Sequence, residues 1–410
     1  MMMYGCIGER LPHSFSKEIH RLIGDYDYDL KELAPEALDA FMRERPFRGI
    51  NVTIPYKQAV LPYLSEISET ARAIGAVNTI VNRNGALYGD NTDCHGLTRL
   101  IQRLGLRLQG GKVLVLGTGG TSRTAVYACR SLGASEVLRV SRTGKDGALT
   151  YEEAARAHAD AGFLINTTPC GMFPAVDAAP VSLDDYPRLR GVVDAIYNPL
   201  RSELVLEARK RGIPAEGGLY MLVAQAVRAA ELFRDTQYPE DLTDLVYERI
   251  RREKENIVLI GMPDCGKSTV AALLGRDLDR PVVDLDARIE EKAGMPIPEI
   301  FARCGEPRFR DLESAAVAEV APMSGMIIAT GGGTVLRTQN VWELRRNGRL
   351  FWLNRPLEEL TPSGYRPLGD SREKIERLYR ERLPVYLAAA DEVIDSRATP
   401  EETAKEIESR

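Results

Sequence analysis

Residues 261–268 read GMPDCGKS, directly after the apolar run NIVLI (256–260) and directly before the helix-forming stretch TVAALLGRDL (269–278). This is a strand, a loop of the form G-x-x-x-x-G-K-[ST], and a helix, which is the context that such a loop needs to hold phosphate. Its backbone amides are expected to cradle the phosphates, with Lys267 reaching the outer ones and Ser268 ligating Mg²⁺. Asp264, Cys265, Gly266 and Thr269 belong to the same nucleotide-binding run. The loop alone leaves motor, GTPase and small-molecule kinase readings open, and no N-K-x-D guanine motif accompanies it.

A second phosphate-type loop lies far upstream. Residues 113–123 read VLVLGTGGTSR, between the strand-like KVLVL and the helical TAVYACRSLG. Gly117 suits the tight turn, and Gly119 lets backbone approach a pyrophosphate at the helix start, with Thr118, Gly120 and Thr121 beside it. Ser122 stands where G-x-G-x-x-G has its third glycine. The next strand ends EVLRVSRTGK (136–145), where an NAD site has an acidic residue for the ribose 2′-hydroxyl. Ser141, Arg142, Thr143 and Lys145 instead offer hydroxyls and cations, as a 2′-phosphate requires. NADP is favoured over NAD.

At 410 residues the chain exceeds one core, and composition is globular, with 44% apolar and 28% charged residues. Apolar strands alternating with amphipathic stretches indicate parallel α/β layers. The net charge of −5 and the lack of a lysine or arginine run argue against nucleic acid as a partner. Six scattered cysteines without a C-x-x-C pair, and four histidines without ligand spacing, exclude a disulfide framework or zinc site. No basic segment precedes a long apolar stretch at the start, so the expected location is the cytosol, away from membranes. The polar stretch at 238–256, YPEDLTDLVYERIRREKEN, marks a domain boundary. The two loops differ in grammar, so duplication does not explain them.

The N-terminal region packs polar residues into short strand-to-loop segments: HSFSKEIH, GINVTIPYK, GAVNT and GDNTD. Ser14, Ser16, Thr53, Asn78 and Asp93 suit a polyol, and Lys57 suits proton donation; taken singly, each is equally a cap or turn residue.

In order and spacing these segments, with GTGGTSR, SRT, INTTPCGM, DAIYNP and GGLYMLVAQ, resemble shikimate dehydrogenase over about residues 1–250. The resemblance implies a catalytic pair of Lys57 and Asp93 and places Ser14 and Ser16 on the substrate carboxylate. It puts Thr53, Asn78 and Gln225 on the ring hydroxyls, Tyr197 near the substrate and Gly218 near the nicotinamide. Two departures stand out: Lys17 replaces a proline, and Tyr220 replaces a small glycine.

Downstream, PVVDLDARIEE, EPRFRDLE, IIATGGGTV, GYRPL and ERLPVYLAAADEVID follow the phosphate loop in an order similar to shikimate kinase, over about residues 256–410. The resemblance implies ATP as donor, Asp286 on the acceptor hydroxyl, Asp284 by Mg²⁺, and Arg310 and Arg382 clamping the substrate carboxylate. The backbone at Gly332 would approach the ring, and Arg366 would close a lid that is shorter here than is usual.

The implied fold is α/β throughout. A substrate-binding α/β subdomain (1–100 and 218–250) and a Rossmann-like NADP subdomain (101–217) are expected first. A linker (251–255) then leads to a parallel α/β P-loop domain similar to nucleoside monophosphate kinases (256–410). The implied activity is reduction of 3-dehydroshikimate to shikimate followed by its phosphorylation. An NAD-using catabolic quinate/shikimate dehydrogenase fused to a kinase, and a ligand-sensing regulator built from degenerate domains, are the alternatives. Monomer and homodimer remain equally open.

Overall fold

The computed structural model describes residues 2–11, 15–361, 371–397 and 399–410. Ser14 and Arg366 therefore lie outside the described residues. The chain divides into two compact units, Met1–Arg251 and Arg252–Arg410.

The first unit holds two sheets. One contains β1 (Met2–Gly8), β2 (Tyr28–Glu32), β3 (Phe47–Val52), β4 (Glu66–Ile67), β5 (Thr79–Arg83) and β6 (Ala86–Asp90), in the order β2-β1-β3-β5-β6-β4. Strands β2, β1 and β3 run parallel, but β5 pairs antiparallel with both β3 and β6. Within these α/β layers the antiparallel pairing has a local reason. Asn84 and Gly85 both take positive φ (53° and 93°), the combination that closes a tight two-residue hairpin between β5 and β6.

The other sheet contains β7 (Lys112–Leu116), β8 (Glu136–Val140), β9 (Phe163–Asn166), β10 (Gly191–Asp194) and β11 (Ala215–Glu216). All are parallel, in the order β11-β10-β9-β7-β8. Val113–Leu116 are buried completely, as expected of a strand covered on both faces. The chain leaves β7 for β8 on one side and returns for β9 on the other. A crevice therefore opens at the carboxyl ends of β7 and β9, the topological switch point.

Helices Thr92–Arg103 and Leu219–Arg234 pack against each other beneath both sheets, sharing one core with Val113 and Val115. Their approach is unusually close at Gly96, where a Cβ would stand 2.4 Å from the Met221 carbonyl oxygen.

Residues 251–254, expected to join the two domains, are the last turn of helix Leu242–Lys254, which buries Val246, Tyr247 and Ile250. Only Glu255 separates that helix from the next strand. The helix persists because its terminal carbonyls are satisfied: the Arg280 guanidinium donates to the backbone oxygens of Arg252, Glu253 and Glu255 at 2.6–3.1 Å.

The second unit is one parallel sheet of β12 (Asn256–Ile260), β13 (Val282–Asp284), β14 (Ile327–Ala329), β15 (Gly348–Asn354) and β16 (Glu392–Asp395), in the order β13-β14-β12-β15-β16. The loop quoted above leaves the carboxyl end of the central strand and enters helix Lys267–Leu278. Among the described residues, no helix is long and apolar enough to cross a membrane.

Gly96→Ala is expected to destabilise the protein by about 1–3 kcal/mol, because a rigid backbone oxygen occupies the site of the new methyl group. Thermal denaturation of the variant checks this; an unchanged melting temperature would mean that the two helices separate freely.

Candidate active sites

In the first unit, Lys57 and Asp93 come from different parts of the sheet margin. Lys57 lies in the turn after β3, and its backbone oxygen accepts from Val77 N at 2.8 Å. Asp93 sits in the first turn of helix Thr92–Arg103, whose N-cap Asn91 accepts from Cys94 N. The Lys57 Nζ to Asp93 Oδ2 distance is 2.5 Å, with side chains 17% and 13% exposed. The pair is thus largely shielded yet open to a small molecule.

Asn78 and Gln225 join them. Asn78 Nδ2 donates to Asp93 Oδ1 at 2.9 Å and to Thr92 Oγ1 at 3.0 Å. Gln225, buried on helix Leu219–Arg234, accepts from Asn78 Nδ2 at 3.5 Å and Thr92 Oγ1 at 3.3 Å. Beneath lies a chain of buried hydrogen bonds from Tyr28 OH to Asn51 Oδ1 (2.7 Å) and from Asn51 Nδ2 to Thr79 Oγ1 (3.1 Å). His20 stacks on Tyr28 at 3.7 Å, and burial lowers its pKa to about 3, so it is neutral and structural. Burial likewise pushes the Cys6 thiol up to about 12, with Lys57 acting weakly in the other direction.

The remaining residues expected at the substrate end are placed as follows. Thr53 ends the extended run after β3, its N–H donating to Ile7 O. Ser16 opens helix Ser16–Ile23. Tyr197 packs its ring on Phe15 at 5.3 Å, bringing the loop after β10 to the start of that helix. Gly218 is the N-cap of helix Leu219–Arg234.

The crevice at the switch point is a cavity of about 810 Å³. Lys57 lines it together with Gly117, Thr118, Gly119, Gly120, Thr121, Ser141 and Arg142. Thr143, expected beside them, is exposed on the same loop and is not among the lining residues. Ser122 does not interrupt the loop: it is buried, and its hydroxyl donates to Gly119 O at 2.7 Å. Arg123, Tyr151, Thr167 and Thr168 also line the cavity. Sequence reasoning passed over them, since nothing in their local spacing links separate strand ends.

Tyr220 does not face this cavity. Its ring is 2% exposed, meets Tyr247 edge-on at 5.2 Å, and lies under the Arg103 guanidinium at 4.7 Å. The departure thus serves helix Leu242–Lys254, which Tyr247 anchors.

In the second unit a cavity of about 480 Å³ is lined by Asp264, Gly266, Lys267, Ser268, Thr269, Asp284, Asp286, Arg310, Gly332 and Arg382. Cys265 is the exception, turned inward and 1% exposed, with Lys267 Nζ 3.7 Å from its sulfur. Lys267 Nζ also donates to Gly261 O (3.0 Å) and Met262 O (2.9 Å). Arg310 is held by Glu313, which is buried and receives Nη1 at 2.8 Å and the Thr334 hydroxyl at 2.7 Å. Arg382 Nη1 donates to Gly332 O at 3.0 Å. The GGG run has no room for side chains: a Cβ on Gly331 would stand 2.7 Å from Asp286 Oδ1, and one on Gly333 2.2 Å from Arg310 Nη1. Glu313, three residues beyond Arg310 on one helix, was legible as a partner only by i,i+3 spacing. Arg355 and Pro400, both from the C-terminal half of the unit, also line the cavity and carried no signal.

The residues fit a magnesium ion. Ser268 Oγ donates to Asp284 Oδ2 at 2.5 Å, while Asp284 Oδ1 caps helix Leu285–Ala293 through Asp286 N and Ala287 N. Magnesium commonly takes one or two protein oxygens and completes its shell with water and phosphate, so a hydroxyl and a carboxylate oxygen suffice. Among the described residues, no group of three or more His, Cys, Asp and Glu side chains forms a dedicated metal cage.

Tyr220→Ala is expected to cost about 3–5 kcal/mol of stability, the scale for emptying a buried aromatic position. Binding of a dinucleotide in the crevice should stay within about twofold of wild type, since a surface not contacted contributes little. Thermal denaturation and cofactor titration check the two halves of this expectation.

Comparison with known proteins agrees with this division. A family model described as shikimate dehydrogenase substrate binding domain matches residues 6–80, and one described as shikimate kinase matches residues 263–410. The shikimate dehydrogenase (NADP(+)) of Clostridium perfringens is 34% identical over 61% of this chain and 99% of its own length. The solved shikimate 5-dehydrogenase of Thermus thermophilus, in complex with NADP(H) and shikimate, is 30% identical with a TM-score of 0.55, covering 61% of this chain and 99% of that one. A chorismate mutase/shikimate 5-dehydrogenase fusion from Clostridium acetobutylicum is 33% identical with a TM-score of 0.57, over 61% of this chain and 97% of that one. The chain belongs to the shikimate dehydrogenase family and carries a shikimate kinase domain behind it, an oxidoreductase joined to a phosphotransferase.

Proposed function

We propose that the first unit reduces 3-dehydroshikimate to shikimate with NADPH, and that the second transfers the γ-phosphoryl group of ATP to shikimate, giving shikimate 3-phosphate. The observation that carries this reading is the Lys57–Asp93 pair, in which Asn78 holds Asp93 and Lys57 lines the cavity of the GTGG loop and Arg142.

NADPH, when bound, supplies the hydride. Lys57 then protonates the carbonyl oxygen as negative charge develops there, and its ammonium stabilises that charge before the proton moves. Asp93 holds Lys57 in place and accepts a hydrogen bond from a neighbouring substrate hydroxyl. Asn78 and Gln225 present further amide groups to the ring. Arg142 distinguishes NADPH from NADH through the 2′-phosphate. An NAD-using quinate dehydrogenase would have an acidic residue at that position, and a sensor of ligands would not need the lysine.

In the second unit, Asp286 orients the acceptor hydroxyl, and Arg310 and Arg382 clamp the substrate carboxylate, the bidentate task that guanidinium groups perform best. Lys267 exchanges the carbonyl oxygens of Gly261 and Met262 for phosphate oxygens when ATP binds. Ser268 and Asp284 hold Mg²⁺. The six free cysteines suit a reducing compartment, and we place the enzyme in the cytoplasm.

Lys57→Ala should lower reduction by at least ~100-fold, the scale of general acid–base help, and leave phosphorylation within error of wild type. Mass analysis of products from 3-dehydroshikimate, NADPH, ATP and Mg²⁺ checks both reactions at once; normal reduction by the variant rejects the assignment.

Lys267→Met should lose shikimate 3-phosphate formation by ~100-fold or more while reduction continues, because the amine neutralises charge on the transferring group. Accumulation of shikimate in the coupled assay is the expected signature, and undiminished phosphorylation would place catalysis elsewhere.

A further inference from the structure

Among the described residues that line the dinucleotide crevice, one cation is used by neither the ribose contacts nor the catalytic pair. Arg123 lines the same cavity as Gly117–Gly120 and Arg142, and its side chain is exposed. Among the described residues it has no ion pair or hydrogen bond. It lies in the first turn of helix Gly120–Ser131, where no acidic residue offsets it. A cation there opposes the dipole of its own helix, whose positive end is the N-terminus.

A neighbouring helix bears on the same group. Helix Glu69–Ile74 ends at Gly75, and a Cβ on Gly75 would stand 3.8 Å from Arg123 Nη1. The side chain therefore reaches from the loop that receives phosphate toward the C-terminal, negative end of a helix on the substrate side. Gln58, the neighbour of Lys57, donates to the Gly75 oxygen at 3.5 Å.

We infer that Arg123 is a second cofactor-binding cation, contacting the pyrophosphate that NADPH and NADH share, whereas Arg142 reads the 2′-phosphate alone. Anion and guanidinium then offset each other at the helix start. The inference rests on the reading of this cavity as a dinucleotide site.

The test is binary binding of each cofactor, without substrate, to the full chain. Dissociation constants for NADPH and for NADH would be measured by nucleotide fluorescence for wild type, Arg123→Ala, Arg123→Lys and Arg142→Ala, each first shown to melt as wild type does. Arg123→Ala should weaken both cofactors by a similar factor, about 10-fold or more, the scale of a charge-assisted contact. Arg123→Lys should recover most of the loss, since it keeps the charge, and Arg142→Ala should weaken NADPH alone. Arg123→Ala with unchanged dissociation constants but slower turnover would make the residue a latch across the crevice and overturn the inference. Loss of NADPH alone would overturn it too. A wild-type chain that binds neither cofactor would reject the reading of the cavity, independently of Arg123.

Discussion

The contact between Lys57 Nζ and Asp93 Oδ2 is made by side chains from separate elements, and the first unit depends on holding those elements in register. Lys57 is fixed by the turn that closes β3, and Asp93 by the N-terminal turn of helix Thr92–Arg103. That helix lies against Leu219–Arg234 so closely that Gly96 admits no side chain, and the same contact delivers Gln225 to Asn78 and Thr92. A lysine–carboxylate pair this sheltered gains from attraction only while its hydrogen-bonding capacity is filled. Asn78 fills it on one side.

The second unit solves a similar problem with fewer elements. Arg310 and Glu313 lie on one helix, and the GGG run wraps them so tightly that backbone, not side chain, forms the floor of the cavity. Asp284 does two jobs with its two oxygens: one caps a helix, and the other meets the Ser268 hydroxyl. One carboxylate thus serves both a helix end and the lining of the cavity, and the helix sets its orientation. The inward-facing Cys265 and the carbonyl partners of Lys267 hold the loop in a shape that already resembles a phosphate cradle.

Much of this was legible in the chain. Both glycine-rich loops stand where strand, loop and helix were read, because apolar strands and turn-forming glycines leave local marks. The N-terminal hairpin was missed, although Asn84-Gly85 is a strong turn signal, because its short strands, Thr79–Arg83 and Ala86–Asp90, were not read as strands at all. The stretch 251–254 was read as the join between domains, and what the sequence does not show is that Arg280, distant along the chain, satisfies its helical carbonyls. Thr143 was grouped with Arg142 by adjacency, but consecutive residues on a turn face different ways.

By itself the sequence determined the element types, the two phosphate loops and the preference for NADP, since each is written in residues that are neighbours along the chain. Tertiary structure alone decided that Tyr220 anchors a helix rather than crowding the crevice, that Arg123 shares a cavity with Arg142, and that Asn78 and Gln225, 147 positions apart, meet within hydrogen-bonding distance. The physical reason is common to all three. Side-chain direction depends on how helices and sheets pack, and packing is settled by contacts between residues that no local pattern connects.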